Sequence, residues 1–302
     1  ALSSTLSGVS GRLDAAELSQ LSKALEAAGD SAGAGLARQL VAAEGKVVAT
    51  SLADNTPPSS VEEAYLKLHL ISHRRVKPHE TDLTGLFGLL PNVAWTDQGP
   101  VDLEELPQRQ LDARLKGSVL EVSSVDKFPK MTNYVVPAGV RIAHTARVRL
   151  GAYLGEGTTV MHEGFINFNA GTAGPGMIEG RISAGVWVGE GSDLGGGCST
   201  MGTLSGGGDI VISVGKECLI GANAGLGIPL GDRCTIEAGL FVTAGTKVSV
   251  LDEVGDTIET VSAKTLAGRP DLLFRRHSST GAVQCLTNKS AIELNEMLHA
   301  NN

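Results

Sequence analysis

An aliphatic residue returns at every sixth position from Val136: Val136, Ile142, Val148, Leu154, Val160 and Ile166. A 3.6-residue helical period does not fall on six, and a strict two-residue strand alternation would return an aliphatic residue at every second position instead of every sixth. A coil with three short flat sides does, with one aliphatic side chain per side pointing inward. The count resumes at Ile182, Val188 and Leu194, at Val214 and Ile220, and at Leu230, Ile236, Val242 and Val248, making 15 hexads. Small residues such as Ala146, Ala152, Gly164 and Ala184 suit the crowded corners, and many of the 39 glycines suit the turns. The expected fold is mainly β: a left-handed parallel β-helix of about five coils. Residues 18 apart should stack, Val136 on Leu154 and Ile142 on Val160, at the ~4.8 Å spacing of paired strands.

The flanks read differently. Residues 12–45 look helical, and Val47 to Leu52 look like a strand ahead of the breaker Asn55-Thr56-Pro57-Pro58. Ser60, with Glu62 and Glu63, opens a helix ending in His73-Arg74-Arg75, a basic cluster favourable beside unsatisfied C-terminal carbonyls. Apolar runs at 93–95 and 119–122, with a helix-like stretch at 104–115 between them, complete an N-terminal α/β domain over 1–131. The β-helix then occupies 132–250. An acidic linker at 252–256, a hairpin from 272–274 and 282–286, and a helix at 289–299 form a small C-terminal hairpin-helix extension over 251–302.

Bulk properties exclude some functions. A net charge of −8 argues against nucleic-acid binding and against attraction to an anionic membrane, so any anion site must be built locally. Cys198, Cys218, Cys234 and Cys285 lack CxxC spacing, and three lie within the repeat, where small buried residues are wanted. The first residues do not read as a leader, and no apolar run reaches ~18 residues, so a cytoplasmic protein is expected.

Interruptions of the hexad are the natural places for chemistry, because loops on a rigid scaffold collect function. Ile166 to Ile182 spans 16 residues, which predicts a bulging loop carrying Asn167, Asn169, Glu179 and Arg181. Leu194 to Val214 spans 20 and contains Ser199 and the run Ser205-Gly206-Gly207-Gly208, which offers backbone N–H groups. Ile220 to Leu230 is the third interruption. Glu179, between Met177-Ile178 and the restart of the repeat, is either a partly buried general base or a surface carboxylate paired with Arg181. His144 and His162 read as solvent-facing side chains.

The stretches Met177-Ile-Glu-Gly-Arg-Ile-Ser-Ala-Gly-Val186, Asp193-Leu-Gly-Gly-Gly-Cys-Ser199 and Met201-Gly-Thr-Leu-Ser-Gly-Gly-Gly208 closely resemble tetrahydrodipicolinate N-succinyltransferases of the actinobacterial type. The likeness runs on through Ile220-Gly-Ala-Asn-Ala-Gly225, Gly227-Ile-Pro-Leu-Gly-Asp232, Ile236-Glu-Ala-Gly239 and Phe274-Arg-Arg276. It includes His69-Leu-Ile-Ser-His-Arg74 and Ser124-Val-Asp-Lys-Phe-Pro129, and so covers residues 60–302. The resemblance implies a homotrimer with active sites between subunits. It further implies transfer of succinyl from succinyl-CoA to tetrahydrodipicolinate, giving N-succinyl-2-amino-6-oxopimelate and coenzyme A on the diaminopimelate route to lysine.

By the same resemblance Glu179 is the catalytic glutamate, acting as a base or becoming acylated itself. Arg181, Gly196, Ser199, Ala222, Glu237, Ala238 and Gly245 fall on succinyl-CoA positions. Arg275, Arg276, His277 and Ser278 match a coenzyme-binding segment, where paired guanidinium groups suit phosphates. A family lysine aligns with Ser262, and Lys264 stands two residues on as its replacement. A family divalent-cation position near the trimer axis, for Mg, falls on Glu163, while the other falls on Ala146. The dianionic acceptor needs cationic donors, for which Arg181 and a neighbouring chain's Arg141 or Arg149 are candidates. Two rival readings keep the fold: an acetyl-CoA-dependent N-acetyltransferase and a non-catalytic structural β-helix.

Overall fold

The computed structural model describes residues 11–202 and 211–287. By internal contacts the chain divides into a unit of Ala1–Lys67 with Thr81–Val93 and a unit of Leu68–Glu80 with Ala94–Asn302.

In the first unit, the helical stretch is two helices, Ala15–Ala27 and Ser31–Leu40, separated at Gly29, whose φ of 85° suits glycine. Asp14 opens the first with a reciprocal cap: its carboxylate accepts the Glu17 N–H while the Glu17 carboxylate accepts the Asp14 N–H, both at 2.8 Å. The strand Val47–Ala49 pairs antiparallel with Gly11–Leu13. Lys67 is fully buried in the helix Val61–Ser72, and its ammonium donates to Thr56 O at 2.6 Å, Asp82 O at 3.0 Å and Asn55 Oδ1 at 3.3 Å. Three acceptors compensate the buried charge and fasten the turn before the helix.

The second unit is built on a three-sided parallel β-helix. Its first face holds Ala152–Leu154, Ala170–Thr172, Trp187–Val188 and Ser213–Val214. The second holds Arg141–Ile142, Thr158–Val160, Gly176–Ile178, Asp193–Leu194, Leu219–Ile220 and Thr235–Ile236. The third holds Phe165–Ile166, Arg181–Ile182, Ser199–Thr200, Gly225–Gly227 and Phe241–Thr243. Ile142 stacks on Val160 as the 18-residue rule requires. Val136 does not stack on Leu154: it is 71% exposed, and Leu154 pairs with Thr172.

The breaks in phase differ from the expected loops. Ile166 pairs directly with Ile182 in adjacent coils, so no loop bulges between them. Thr172 and Ile178 fill the two inward positions in between, and the coil is short because Ile178 and Ile182 are four apart instead of six. The same four-residue side joins Leu226 to Leu230, which resolves the third break. Only the second break is an insertion: Thr200 and Val214 are 14 apart, eight more than a hexad, and the Ser205–Gly208 run lies outside the described residues. Polar threonines hid the inward positions. Thr158 and Thr172 hydrogen-bond each other at 2.6 Å inside the column, and the Thr200 hydroxyl donates to Arg181 O at 3.0 Å, so burial costs them little.

His73-Arg74-Arg75 does more than offset a helix terminus. The Arg74 guanidinium donates to the carbonyls of Leu154 and Ala138, and Ser72 Oγ donates to Ala152 O at 3.1 Å while accepting the Gly151 N–H at 2.8 Å. Residues 72–79 thereby lie along the first face, where His79 Nε2 contacts Gly185 O at 2.8 Å. At the other end, the acidic stretch 252–256 is the turn of an antiparallel hairpin between Lys247–Leu251 and Thr257–Ser262, not a linker. The second hairpin, Leu272–Arg276 with Val283–Thr287, is present and extends the second face through Ile236 against Phe274. The expected helix at 289–299 lies outside the described residues.

All four cysteines are free and buried. Burial pushes the Cys198 and Cys285 thiols up to about 12. The side-chain hydrogen bond between Cys218 and Cys234 raises Cys218, with burial adding to it, and lowers Cys234. The thiolate is the reactive form, and a reagent must also reach it, which burial denies to all four sulfurs, Cys234 included. At pH 8 a thiol reagent is therefore expected to label the protein only as fast as it unfolds, and rapid labelling under native conditions would contradict this packing.

Candidate active site

One edge of the β-helix, between the second and third faces, gathers the charged and small residues of successive coils. Rising along it, the corners are Met161-His162-Glu163-Gly164, Glu179-Gly180, Gly195-Gly196-Gly197-Cys198, Gly221-Ala222-Asn223-Ala224 and Glu237-Ala238-Gly239-Leu240, followed by Arg275-Arg276-His277. Corners of sequence-distant coils become neighbours because each inward aliphatic residue fixes its own rung.

Glu179 occupies the tightened four-residue corner. Its N–H donates to Leu194 O at 2.8 Å and its carbonyl accepts the Gly197 N–H at 3.3 Å, so its backbone is held from the rung above. The side chain is half-buried, and a methyl group added to Gly196 would stand 3.5 Å from its Oε2. That is ordinary van der Waals contact, so position 196 lies directly beside the carboxylate. Gly180 allows the corner to close, since a Cβ there would overlap Cys198 Sγ and stand 2.7 Å from Cys198 O.

The alternative of a carboxylate paired with Arg181 is not what the site shows. Arg181 is exposed on the third face and donates to Ser199 Oγ through Nη2 at 2.9 Å and Nε at 3.3 Å, and no described residue bonds the Glu179 carboxylate. A half-buried carboxylate with uncommitted oxygens can accept a proton from an amine.

The corner geometry leaves backbone donors over. The first residue of each corner donates upward, as Gly195 to Ile220 O at 2.7 Å and Gly221 to Ile236 O at 2.8 Å. The third donates downward, as Asn223 to Gly196 O at 2.9 Å and Gly239 to Ala222 O at 2.8 Å. The middle residues Gly196, Ala222 and Ala238 direct their N–H groups to no described carbonyl. A ladder of free amides on small residues is what a chain of ligand amides can lie against. Asn223, with a φ of 55°, stands in this ladder and was not singled out by sequence reasoning; asparagine's tolerance of that conformation is the local signal.

Glu237 anchors the basic end. Its Oε2 accepts the Arg276 N–H at 2.6 Å, and its own N–H donates to Phe274 O at 2.9 Å. Arg275 and Arg276 are exposed, with one donor each given to Gln284 Oε1 and Gly281 O at 3.1 Å. His277 Nδ1 faces the Thr280 hydroxyl at 3.0 Å, and Ser278 is exposed beside it. Lys264 N–H donates at 3.2 Å to the carbonyl of Ala244, the residue before Gly245, and both lie at the far border of the third face from this edge.

Arg149 is not available as an acceptor-binding cation within its own chain: it is paired with Asp126 at 2.7 Å, bonded to Asn167 Oδ1 at 3.1 Å and laid over the Phe128 ring. Arg141 is exposed, with Nη2 against Met161 Sδ at 3.3 Å. His144 and His162 do face solvent, but their rings are in edge contact at 5.2 Å. Glu163 has only the His162 imidazole beside its carboxylate, at 3.3 Å, and the described residues of one chain contain no group of three or more His, Cys, Asp or Glu able to hold a metal. Among its described residues one chain thus offers a single carboxylate at Glu163 and no closed donor set for a divalent cation.

Similarity to known proteins agrees with this geometry. The family model for the middle region of tetrahydrodipicolinate N-succinyltransferase matches residues 90–130, and that for the hexapeptide repeat of succinyl-transferase matches residues 211–244. A 2,3,4,5-tetrahydropyridine-2,6-dicarboxylate N-succinyltransferase of Pseudomonas aeruginosa is 70% identical over 283 residues, spanning 94% of this chain and 82% of that protein. The chain belongs to the tetrahydrodipicolinate N-succinyltransferase family. The family member from Vibrio cholerae is 62% identical over 290 residues, 96% of this chain and 84% of that one. A Campylobacter jejuni crystal structure, assigned as a 2,3,4,5-tetrahydropyridine-2-carboxylate N-succinyltransferase, superposes with a TM-score of 0.84 at 36% identity, covering 94% of this chain and 79% of that chain. Membership makes this chain an enzyme of the acyltransferase class and sets aside the purely structural β-helix.

Proposed function

We propose that the chain moves the succinyl group of succinyl-CoA onto the nitrogen of tetrahydrodipicolinate, releasing coenzyme A and N-succinyl-2-amino-6-oxopimelate on the route through diaminopimelate to lysine. The observation that carries this reading is the single edge running from a free carboxylate, past unpaired backbone amides, to two exposed arginines. From Glu179 the rungs at Gly196, Ala222 and Ala238 lead to Arg275, four steps of ~4.8 Å or roughly 19 Å. An extended pantetheine arm must cover a comparable span between a thioester and the coenzyme phosphates.

In this reading Glu179 takes the proton from the attacking amine, or carries the acyl group in passing. Arg181, held by Ser199, balances a carboxylate of the succinyl group or of the acceptor. The N–H groups of Gly196, Ala222 and Ala238 meet the amides of the arm, and Arg275, Arg276, His277 and Ser278 receive phosphates. Glu237 fixes the hairpin that presents them. Gly245 and Lys264 lie across the third face, where the nucleotide end can reach. The assembly is a homotrimer of left-handed β-helices with active sites between subunits. No helix among the described residues is long and apolar enough to cross a membrane.

The test follows thiol release from succinyl-CoA with and without tetrahydrodipicolinate, with acetyl-CoA run beside it. Acceptor-dependent release from succinyl-CoA, faster than from acetyl-CoA, is expected. Equal or greater rates with acetyl-CoA would move the assignment to an N-acetyltransferase.

A further inference from the structure

Phe241 is a large apolar side chain left 45% exposed on the outer side of the third face. Its position is fixed by a vertical column of outward residues in which Phe165 pairs with Arg181, Arg181 with Ser199, Ser199 with Gly225 and Gly225 with Phe241. The ring does not project straight into solvent. A Cβ built on Gly225 would overlap Phe241 Cε2 and Cδ2 and stand 2.7 Å from Cζ, so the ring is folded down over Gly225 toward Ser199. Glycine at 225 is what lets it lie there. Above Phe165 the column is polar at Arg181 and Ser199, and about two rungs or ~10 Å beyond Ser199 it ends in an aromatic plate.

The height of that plate decides its chemistry. Phe241 follows the Glu237-Ala238-Gly239 corner in the same coil, one rung below Arg275 and Arg276. A coenzyme A laid along the edge as proposed would bring the pantoyl part of its arm, whose geminal dimethyl group is its bulkiest apolar element, between those arginines and the N–H of Ala238. We infer that Phe241 is the contact for that group, an apolar wall that sets the path of the pantetheine arm from the phosphate site toward Glu179. The inference rests on the proposed succinyl-CoA reading and adds to it a residue outside the polar set.

The experiment compares wild type with Phe241→Ala, Phe241→Leu and Gly225→Ala. Steady-state kinetics in succinyl-CoA are combined with inhibition by adenosine 3′,5′-bisphosphate, which carries the phosphates but no pantetheine arm. For Phe241→Ala the KM for succinyl-CoA should rise about tenfold, since lost apolar burial near 1.4 kcal/mol is one decade. The inhibition constant of the bisphosphate should stay as in wild type. Phe241→Leu should recover most of the loss, and Gly225→Ala, which displaces the ring without removing it, should share its direction. An unchanged KM overturns the inference. So does equal weakening of the bisphosphate, or a changed mass by light scattering, which would make Phe241 a general structural or subunit contact. If wild type itself releases no thiol from succinyl-CoA, the underlying reading fails instead.

Discussion

Glu179→Gln is expected to lower kcat for acceptor-dependent thiol release by roughly 10²–10⁴, the range that a positioned proton acceptor contributes. The substitution keeps the shape and removes the charge. Because the corner is held by backbone bonds from Glu179 N–H to Leu194 O and from Gly197 N–H to Glu179 O, the coil should stay intact and the melting temperature should move little. The KM for succinyl-CoA should change far less than kcat, since the coenzyme's amides and phosphates are assigned to higher rungs. A Gln variant retaining more than about a tenth of wild-type kcat would remove Glu179 from the proton-transfer role. A large rise in KM at constant kcat would make it a binding group instead.

The largest stability effect should come from the column itself. Ile182 is fully buried, stacks on Ile166 below, and has Thr200 above it through the Arg181–Ser199 register. Ile182→Ala removes three carbons from a wall where neighbouring rungs cannot collapse independently, because each is fixed by strand pairing on both sides. A cost of about 2–5 kcal/mol is expected, with a fall in melting temperature of roughly 5–15 °C. Val254→Ala, at a position 83% exposed in a hairpin turn, serves as control and should shift stability by less than ~0.5 kcal/mol. If the two variants melt together, the inward column is not the core that holds this unit.

The hexad made the fold legible because an aliphatic side chain every six residues has one economical geometry, and Ile142 on Val160 appears as that rule requires. Polarity concealed the rest. Thr172 and Thr200 occupy inward positions that a search for aliphatic residues skips, so a shortened side between Ile178 and Ile182 looked like an inserted loop. Arg74 looked like a helix-terminal charge because nothing local reveals that Leu154 and Ala138 carbonyls, some 64–80 residues away, are its acceptors. The hairpin at 272–287 was readable from its own strands, whereas Glu237 reaching Arg276 was not.

Sequence alone determined the repeat and the family motifs, and it singled out Glu179, Arg181 and the arginine pair as candidates, since these are properties of residue type and spacing. Tertiary structure decided that no described residue pairs with the Glu179 carboxylate, that Arg181 turns to Ser199, and that corners from six coils form one edge whose middle amides meet no described carbonyl. The reason is physical. A local pattern fixes which way each side chain points within its own rung, but the neighbours along an edge come from coils tens of residues apart. Only the stacking register, shortened twice by two residues and lengthened once by eight, brings them into line.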